Sequence, residues 1–266
     1  MSAARLTSLL LARGSRWPAP IEWHAEAVST NDLLKERACS GAPAWTVAVA
    51  DRQSAGRGRR GNAWASPEGN LYLSVLLPVP GDPAALTLIP LVAGLAVAEA
   101  IEEHGAPARL KWPNDVLLGG RKVAGVLAEA ASNGQGVDSI VLGIGINVAA
   151  SPGDAAAALG ETTTCLAAAL QRPLEIAPIA ASLLDRLRGR IGRLLGGERA
   201  LLLSAWEERA SEWWGKPIEV TTGAERLHGI ALGIDARGAL VVELPDASRR
   251  VILSGEARQL RLEAAP

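Results

Sequence analysis

The residues of this chain whose types could do chemistry gather in a few short segments. The loop Gln53-Ser54-Ala55-Gly56-Arg57-Gly58-Arg59-Arg60-Gly61 sets three arginines among glycines. Glycine lets a backbone approach closely, and guanidinium forks suit carboxylates and phosphates, so the loop can fold over an anionic ligand. A solvated basic loop, or an arginine–glycine segment that binds RNA, is the plainer reading of the same residues. Gly56-x-Gly58-x-x-Gly61 also matches the dinucleotide fingerprint. That fingerprint must open a helix, whereas Asn62 to Pro67 leads into a turn and a strand, so a Rossmann site is not expected.

Lys111-Trp112-Pro113-Asn114-Asp115 packs an ammonium, an amide and a carboxylate at the end of an extended segment. Asn and Asp after Pro are often mere turn formers. Lysine is scarce, however: Lys35, Lys111, Lys122 and Lys216 stand among 27 basic residues. Lys111 beside Asp115 can therefore serve phosphate and a metal ion, or phosphate and a proton. Arg121-Lys122-Val123-Ala124-Gly125 places the second lysine after a Gly-Gly turn and a glycine inside an apolar strand. In Ile140 to Asn147, one face is Ile140, Leu142, Ile144 and Ile146, and the other is Val141, Gly143, Gly145 and Asn147. The first face is core. The second is bare backbone ending in an amide, open either to a ligand or to tight packing.

These segments need elements to hold them. Alternation predicts strands at Ile21–Val28, Thr46–Ala50, Leu71–Leu77 and Ile140–Asn147, and a hairpin of Val116–Leu118 with Lys122–Glu129 about Gly119-Gly120. Helices are expected at Ala3–Arg13, after the N-cap types Ser29-Thr30-Asn31, over Leu86–Glu103, and twice between Ile176 and Trp213 with a break near Gly196-Gly197. Five short strands then follow, Ile218–Thr221, Leu227–Ile234, Ala239–Leu244, Arg249–Leu253 and Gln259–Leu262. Their spacing suggests a small barrel that docks on the larger part. Strands and helices do not alternate as βαβ units, so a mixed or antiparallel α+β sheet fits.

Composition narrows the function. The chain has 266 residues, 48% hydrophobic, with a formal net charge of -1, which disfavours a general nucleic-acid binder. Two isolated cysteines and three scattered histidines form no disulfide framework and no metal motif. The longest apolar stretch, about Leu86 to Ala98, contains Pro90 and Gly94 and falls short of the ~18 residues a membrane span needs. A cytoplasmic location is expected.

Ser29-Thr30-Asn31, Gln53-x-x-Gly56-Arg57-Gly58-Arg59-x-Gly61, Trp64, Lys111-Trp112-Pro113-Asn114-Asp115, Arg121-Lys122-x-x-Gly125 and Gly143-x-Gly145-x-Asn147 resemble, in this order, the motifs of biotin–protein ligases. The likeness runs from about residue 21 to 150. It implies the α+β fold of that family and of class II aminoacyl-tRNA synthetases: a mixed/antiparallel sheet flanked by helices, with a small C-terminal SH3-like β-barrel. The division is 1–214 for catalysis and 215–266 for the barrel. It also implies adenylation of biotin by ATP to biotinyl-5'-AMP, then transfer to a lysine of a biotin carboxyl carrier protein or domain.

On that resemblance, Ser29, Thr30, Asn31, Gln53, Gly56, Arg57, Gly58, Arg59, Lys122, Gly125, Gly143 and Gly145 are the biotin side. Arg59, Trp64, Lys111, Asn114, Asp115, Lys122 and Asn147 are the nucleotide side, with Trp64 packing by the adenine. Lys122, Arg57, Arg59, Asp115 and Lys111 are the catalytic set, Asp115 accepting the proton of the incoming amine. Mg²⁺ enters with ATP, and no side chain is assigned as its ligand. Asn62 stands where many family members have a basic residue. Some relatives carry an N-terminal winged helix-turn-helix. Only 28 residues precede Ser29, so no such domain and no specific DNA binding are expected. The nearest rival is a ligase for lipoate or another acyl group.

Overall fold

Alternation along the strands decides the layers. The structure, a computed structural model, describes residues 2–132, 134, 136–152, 162–223 and 225–260. Strands β2 (Val47–Ala50), β3 (Leu71–Leu77) and β7 (Val137–Ile146) send Val47, Val49, Leu71, Leu73, Val75, Leu142, Ile144 and Ile146 into one large core. The alternate residues Ala48, Leu76 and Val141 instead meet Leu34 on the opposite face. The split of Ile140–Asn147 into an apolar and a glycine face is therefore as the sequence implies.

The sheet has seven strands in the order β1-β2-β3-β7-β6-β5-β4, with β1 at Ile21–His24, β4 at Arg109–Lys111, β5 at Asp115–Leu118 and β6 at Arg121–Ser132. β1 and β2 are parallel and every other neighbouring pair is antiparallel. A parallel pair requires a crossover, and helix α2 (Thr30–Cys39) supplies it on the glycine face. β1 stops at His24, short of the expected Val28; beyond it Ala27 makes only an isolated bridge to Gln53.

Helices α1 (Ala3–Ala12), α3 (Ile89–Glu103), α4 (Leu166–Leu170), α5 (Ile176–Leu195) and α6 (Arg199–Arg209) complete the body. The expected break at Gly196-Gly197 separates α5 from α6, while the short α4 was not foreseen. A 3₁₀ segment, Pro83–Leu88, leads directly into α3. Together they make 21 residues, long and apolar enough to cross a membrane by length and composition. This corrects the expectation that the stretch is too short: the 3₁₀ lead-in adds length that the sequence did not reveal. The helix is nonetheless core, with Leu95 and Ile101 fully buried. An all-round apolar helix is stable only where every side is covered.

Glu103, at the end of α3, accepts hydrogen bonds from Arg13 (3.0 Å), Ser182 (3.1 Å) and Arg186 (3.1 Å). The Arg13 bond is the main cause that takes its carboxyl down to about 2 from an ordinary 4.5, against the opposing pull of burial. A pKa depressed on folding stabilises fully above the unfolded value and is lost as pH falls through the folded one. Glu103→Gln is therefore expected to flatten the acid limb of the unfolding free energy between about pH 5 and pH 2. Denaturant titrations at a pH series check this; identical acid slopes for the two proteins would refute it.

The C-terminal segment forms strands β8 (Pro217–Thr222), β9 (Glu225–Ile234), β10 (Leu240–Glu243), β11 (Arg249–Ile252) and β12 (Glu256–Gln259). They make an antiparallel sheet in the order β11-β10-β9-β8-β12. β12 begins three residues before the expected Gln259–Leu262, of which residues 261 and 262 lie outside the described residues. Among the described residues β11 and β12 do not pair, so the pairing shows a five-stranded sheet and not a closed barrel. It docks as expected: Ile218, Val220, Leu240 and Val242 join the main core. Trp112 Nε1 donates to the Gly238 carbonyl at 3.0 Å. Gly238 has φ +74°, and a Cβ there would lie 2.4 Å from Leu91, so this contact requires glycine.

Candidate active site

Strand register lines the site up. On the glycine face, Asp115, Gly125, Gly145 and Tyr72 form one row across β5, β6, β7 and β3. Leu127, Gly143 and Ser74 form the next row, and Glu129, Val141 and Leu76 the third. The two β7 glycines are not bare floor. A Cβ on Gly143 would sit 2.2 Å from Asn31 Oδ1, and one on Gly145 would sit 2.5 Å from the Trp64 ring. A Cβ on Gly125 would reach the same ring at 2.9 Å. Glycine is thus required here for side chains of this chain to lie close, a packing that the residues alone left open beside ligand access.

At one end of the cavity the polar groups are uncharged. Gln53 Oε1 accepts from Thr30 N at 2.8 Å and from Thr30 Oγ1 at 3.2 Å, while Gln53 Nε2 donates to Ser66 Oγ at 3.0 Å. Ser74 Oγ donates to Asn31 Oδ1 at 2.6 Å and lies 2.7 Å from Thr30 Oγ1. Asn31 Nδ2 donates to Glu129 at 2.7 Å. Ser29 is the N-cap residue of α2, yet its side chain makes no capping bond and lines the cavity instead. Burial pushes the Tyr72 phenol up to about 12, and its hydroxyl donates to the Pro67 carbonyl at 2.7 Å.

The other end is cationic. Asp115 pairs with Lys122 at 2.6 Å and Lys111 at 3.8 Å, and Lys122 Nζ stands 5.2 Å from the Trp64 ring centroid. Lys111 also lies 5.7 Å over Trp213. Lys122 reaches this face through a bulge. Val116 pairs with Ala124 but Leu117 pairs with Lys122, leaving Val123 over. Strict alternation from Gly125 would send Lys122 to the core; the extra residue sends Val123 there and turns Lys122 to the cavity.

The Arg-Gly loop turns as a 3₁₀ segment, Arg59–Gly61, and opens no helix. All three arginines are engaged. Arg57 pairs with Asp32 and, at 3.3 Å, with Glu129. Arg59 donates to Asn114 Oδ1 and the Gly255 carbonyl, both at 3.3 Å, and Arg60 to the Thr221 carbonyl at 3.2 Å. Burial, then the charge of Arg60, lowers the Arg59 pKa, while Asp115 and Glu256 oppose the shift. The loop lines the cavity with Arg57, Arg59 and Arg60 each held by a partner, while Arg57 and Arg60 keep one side in solvent.

Of the sequence-selected residues, Ser29, Thr30, Asn31, Gln53, Arg57, Gly58, Arg59, Trp64, Lys111, Asn114, Asp115, Lys122, Gly125, Gly143 and Gly145 line one cavity. Two do not. Gly56 lies behind the loop, where a Cβ would meet Ser66 Oγ at 2.5 Å. Asn147 is buried beneath: its Nδ2 donates to the Thr164 carbonyl at 3.0 Å and its N to the Val123 carbonyl at 2.8 Å, while its buried Oδ1 has no partner among the described residues. Among the described residues no group of three His, Cys, Asp or Glu is placed to hold a metal ion. Tyr72, Ser74 and Glu129 were missed. Two of them had a signal: Ser74 is the hydroxyl inside the apolar run of β3, and Glu129 stands in phase with Gly125 on β6.

Comparison with known proteins agrees with this arrangement. Residues 25–147 match the biotin/lipoate A/B protein ligase family and residues 214–257 the biotin protein ligase C-terminal domain. A biotin–[acetyl-CoA-carboxylase] ligase of Paracoccus denitrificans is 38% identical over 240 residues, covering 87% of this chain and 97% of the relative. One from Mycobacterium tuberculosis is 36% identical, covering 96% and 94%. The biotin protein ligase of Aquifex aeolicus in complex with biotin and ATP superposes with a TM-score of 0.77 at 31% identity, over 91% of this chain and 99% of that one. On its ordered motifs, its fold and these relatives, the chain belongs to the biotin protein ligase family.

Proposed function

We propose that this protein is an ATP-dependent biotin–protein ligase that forms biotinyl-5'-AMP and passes the biotinyl group to a lysine of a biotin carboxyl carrier protein or domain. The observation that carries the reading is the polarity of the cavity that gathers these residues. An uncharged hydrogen-bonding end (Thr30, Asn31, Gln53) runs into an end where Lys111, Lys122 and Arg59 surround Asp115. Biotin has that shape of polarity, a neutral polar ring system and one carboxylate. In the first step a carboxylate oxygen attacks the α-phosphorus of ATP and pyrophosphate leaves. In the second, a lysine amine attacks the carbonyl carbon, AMP leaves and the amine loses a proton, for which Asp115 is our acceptor.

Bringing two anions together costs energy that Lys122, Lys111 and Arg59 offset, and preplaced charges of this kind also stabilise the transition state. We assign the adenine side to Trp64, which lines the cavity with Lys122 over its ring; Asn147, buried beneath the cavity, supports that wall without reaching the nucleotide. Mg²⁺ would arrive on the phosphates of ATP, where it supplies charge neutralisation; the Asp115 carboxylate is already held by two lysines.

We further assign residues 1–214 to substrate binding and 215–266 to a C-terminal unit closed as an SH3-like barrel. Its order supports closure: β11 and β12 lie on opposite edges, roughly 19 Å apart in a flat sheet. Yet only residues 253–255 join them, a link that spans at most about 14 Å. The sheet must curl. An exposed free thiol, Cys39, suits the reducing cytoplasm we assign to the protein. Labelled biotin, ATP and a carrier domain test the transfer. Label is expected on the carrier and not on its Lys→Arg form; no label on either would overturn the reading.

A further inference from the structure

Asn31, Lys35 and Arg57 come from two separate elements, α2 and the Arg-Gly loop, yet converge on one carboxylate. Glu129 Oε2 accepts from Asn31 Nδ2 at 2.7 Å and lies 3.3 Å from Arg57, while Oε1 accepts from Lys35 Nζ at 2.6 Å. Asp32, which is one turn from Lys35 on α2, takes a second bond from the same Arg57. The four charges sum to zero, so the cluster is balanced without solvent ions. Glu129 itself lines no part of the cavity, being one row further along β6 than Leu127.

Its bond to Asn31 has a directional consequence. An amide can present either its oxygen or its nitrogen, and an ionised carboxylate accepts only. Glu129 therefore fixes Nδ2 toward itself and Oδ1 toward Ser74, which donates to it at 2.6 Å. With the amide so turned, Asn31 closes over Gly143 at the uncharged end of the cavity. The same carboxylate restrains the arginine nearest that end.

We propose that Glu129 is a positioning residue for biotin capture: it sets the rotamer of Asn31 and tethers the Arg-Gly loop through Arg57, without touching substrate. The proposal rests on the biotin-ligase reading above. Burial alone would raise the Glu129 carboxyl. The hydrogen bonds from Asn31 and Lys35 and the charges of Lys35 and Arg57 outweigh it and hold the group below its ordinary value, so it is ionised at neutral pH.

The test is steady-state pyrophosphate exchange by Glu129→Gln, Glu129→Asp and Asp32→Asn beside the parent protein, with KM read separately for biotin and ATP. Gln keeps the shape but can flip its amide and brings no charge. We expect the KM for biotin to rise roughly tenfold, with KM for ATP and kcat within about threefold, a split matching the loss of one charged hydrogen bond. Asp32→Asn, which leaves the Asn31 bond intact, is expected to raise the biotin KM less. Glu129→Asp keeps the charge on a shorter arm and is expected to restore part of the affinity. An unchanged biotin KM in Glu129→Gln, or parallel rises in both KM values with a lowered Tm, would overturn the proposal. If Glu129→Gln does not fold, a biotin KM in Glu129→Asp equal to that of the parent protein, despite the shorter arm, overturns the proposal. Absence of biotin-dependent exchange in the parent protein would instead sink the reading on which it rests.

Discussion

Lys122→Gln is expected to slow biotin-dependent adenylation by about 10²–10³-fold, the scale of losing one preplaced charge at a developing anion. Three features make this residue the most exposed to substitution. Its ammonium is the nearer of the two on Asp115, at 2.6 Å against 3.8 Å for Lys111. Its backbone is pinned on both sides, since Lys122 N donates to the Thr162 carbonyl at 2.8 Å and Thr164 N to the Lys122 carbonyl at 2.9 Å. It also stands on the Trp64 face, at the junction of the neutral and cationic ends. Glutamine keeps a polar side chain, one atom shorter and uncharged, and cannot offset the repulsion between a carboxylate and an α-phosphate. Quenched-flow measurement of adenylate formation at saturating biotin and ATP is the check. A loss smaller than about fivefold would remove Lys122 from the transition state.

Gly143→Ala is the second large effect. The added methyl would fall 2.2 Å from Asn31 Oδ1, closer than non-bonded atoms approach, and Asn31 is held by Ser74 and Glu129. Either the network breaks or β7 moves away from α2. Overpacking of this kind costs about 1–3 kcal/mol, and displacing Asn31 is expected to raise the KM for biotin by more than about tenfold, since breaking a charged hydrogen bond alone is worth that much. Denaturant melts and KM measurements read the two effects separately. A methyl tolerated at full stability with an unchanged biotin KM would mean that the Asn31–Gly143 contact has no part in the site.

Much of this was legible in the residues, and the parts that were not have physical reasons. The period-two pattern of Ile140–Asn147 showed which face is core, because burial on one side leaves that mark directly. It did not show what fills the gaps at Gly143 and Gly145. Asn31 and Trp64 come from distant parts of the chain, and only the folded register brings them over β7. Lys111, Asp115 and Lys122 stood out by type and spacing, but the bulge at Val123 did not. Without it, simple alternation points Lys122 into the core. Glu129 read as the charged end of a strand, since nothing local to β6 shows that α2 and the Arg-Gly loop both end on it. The 3₁₀ lead-in to α3 escaped for a similar reason: Pro83 to Leu88 is apolar without a helical period. The last strand was placed late because Glu256 and Arg258, facing out, mask the single inward Ala257.

Adenylation of biotin is the step on which every assignment in this site depends. ATP–pyrophosphate exchange by the purified protein with Mg²⁺ and either biotin or lipoate as the acid tests it most directly. Exchange that depends on biotin and is absent with lipoate is the predicted result. Exchange with lipoate alone would leave the cationic end in place and overturn the assignment of Thr30, Asn31 and Gln53 to the biotin ring, and exchange with neither acid from folded protein would contradict the account as a whole.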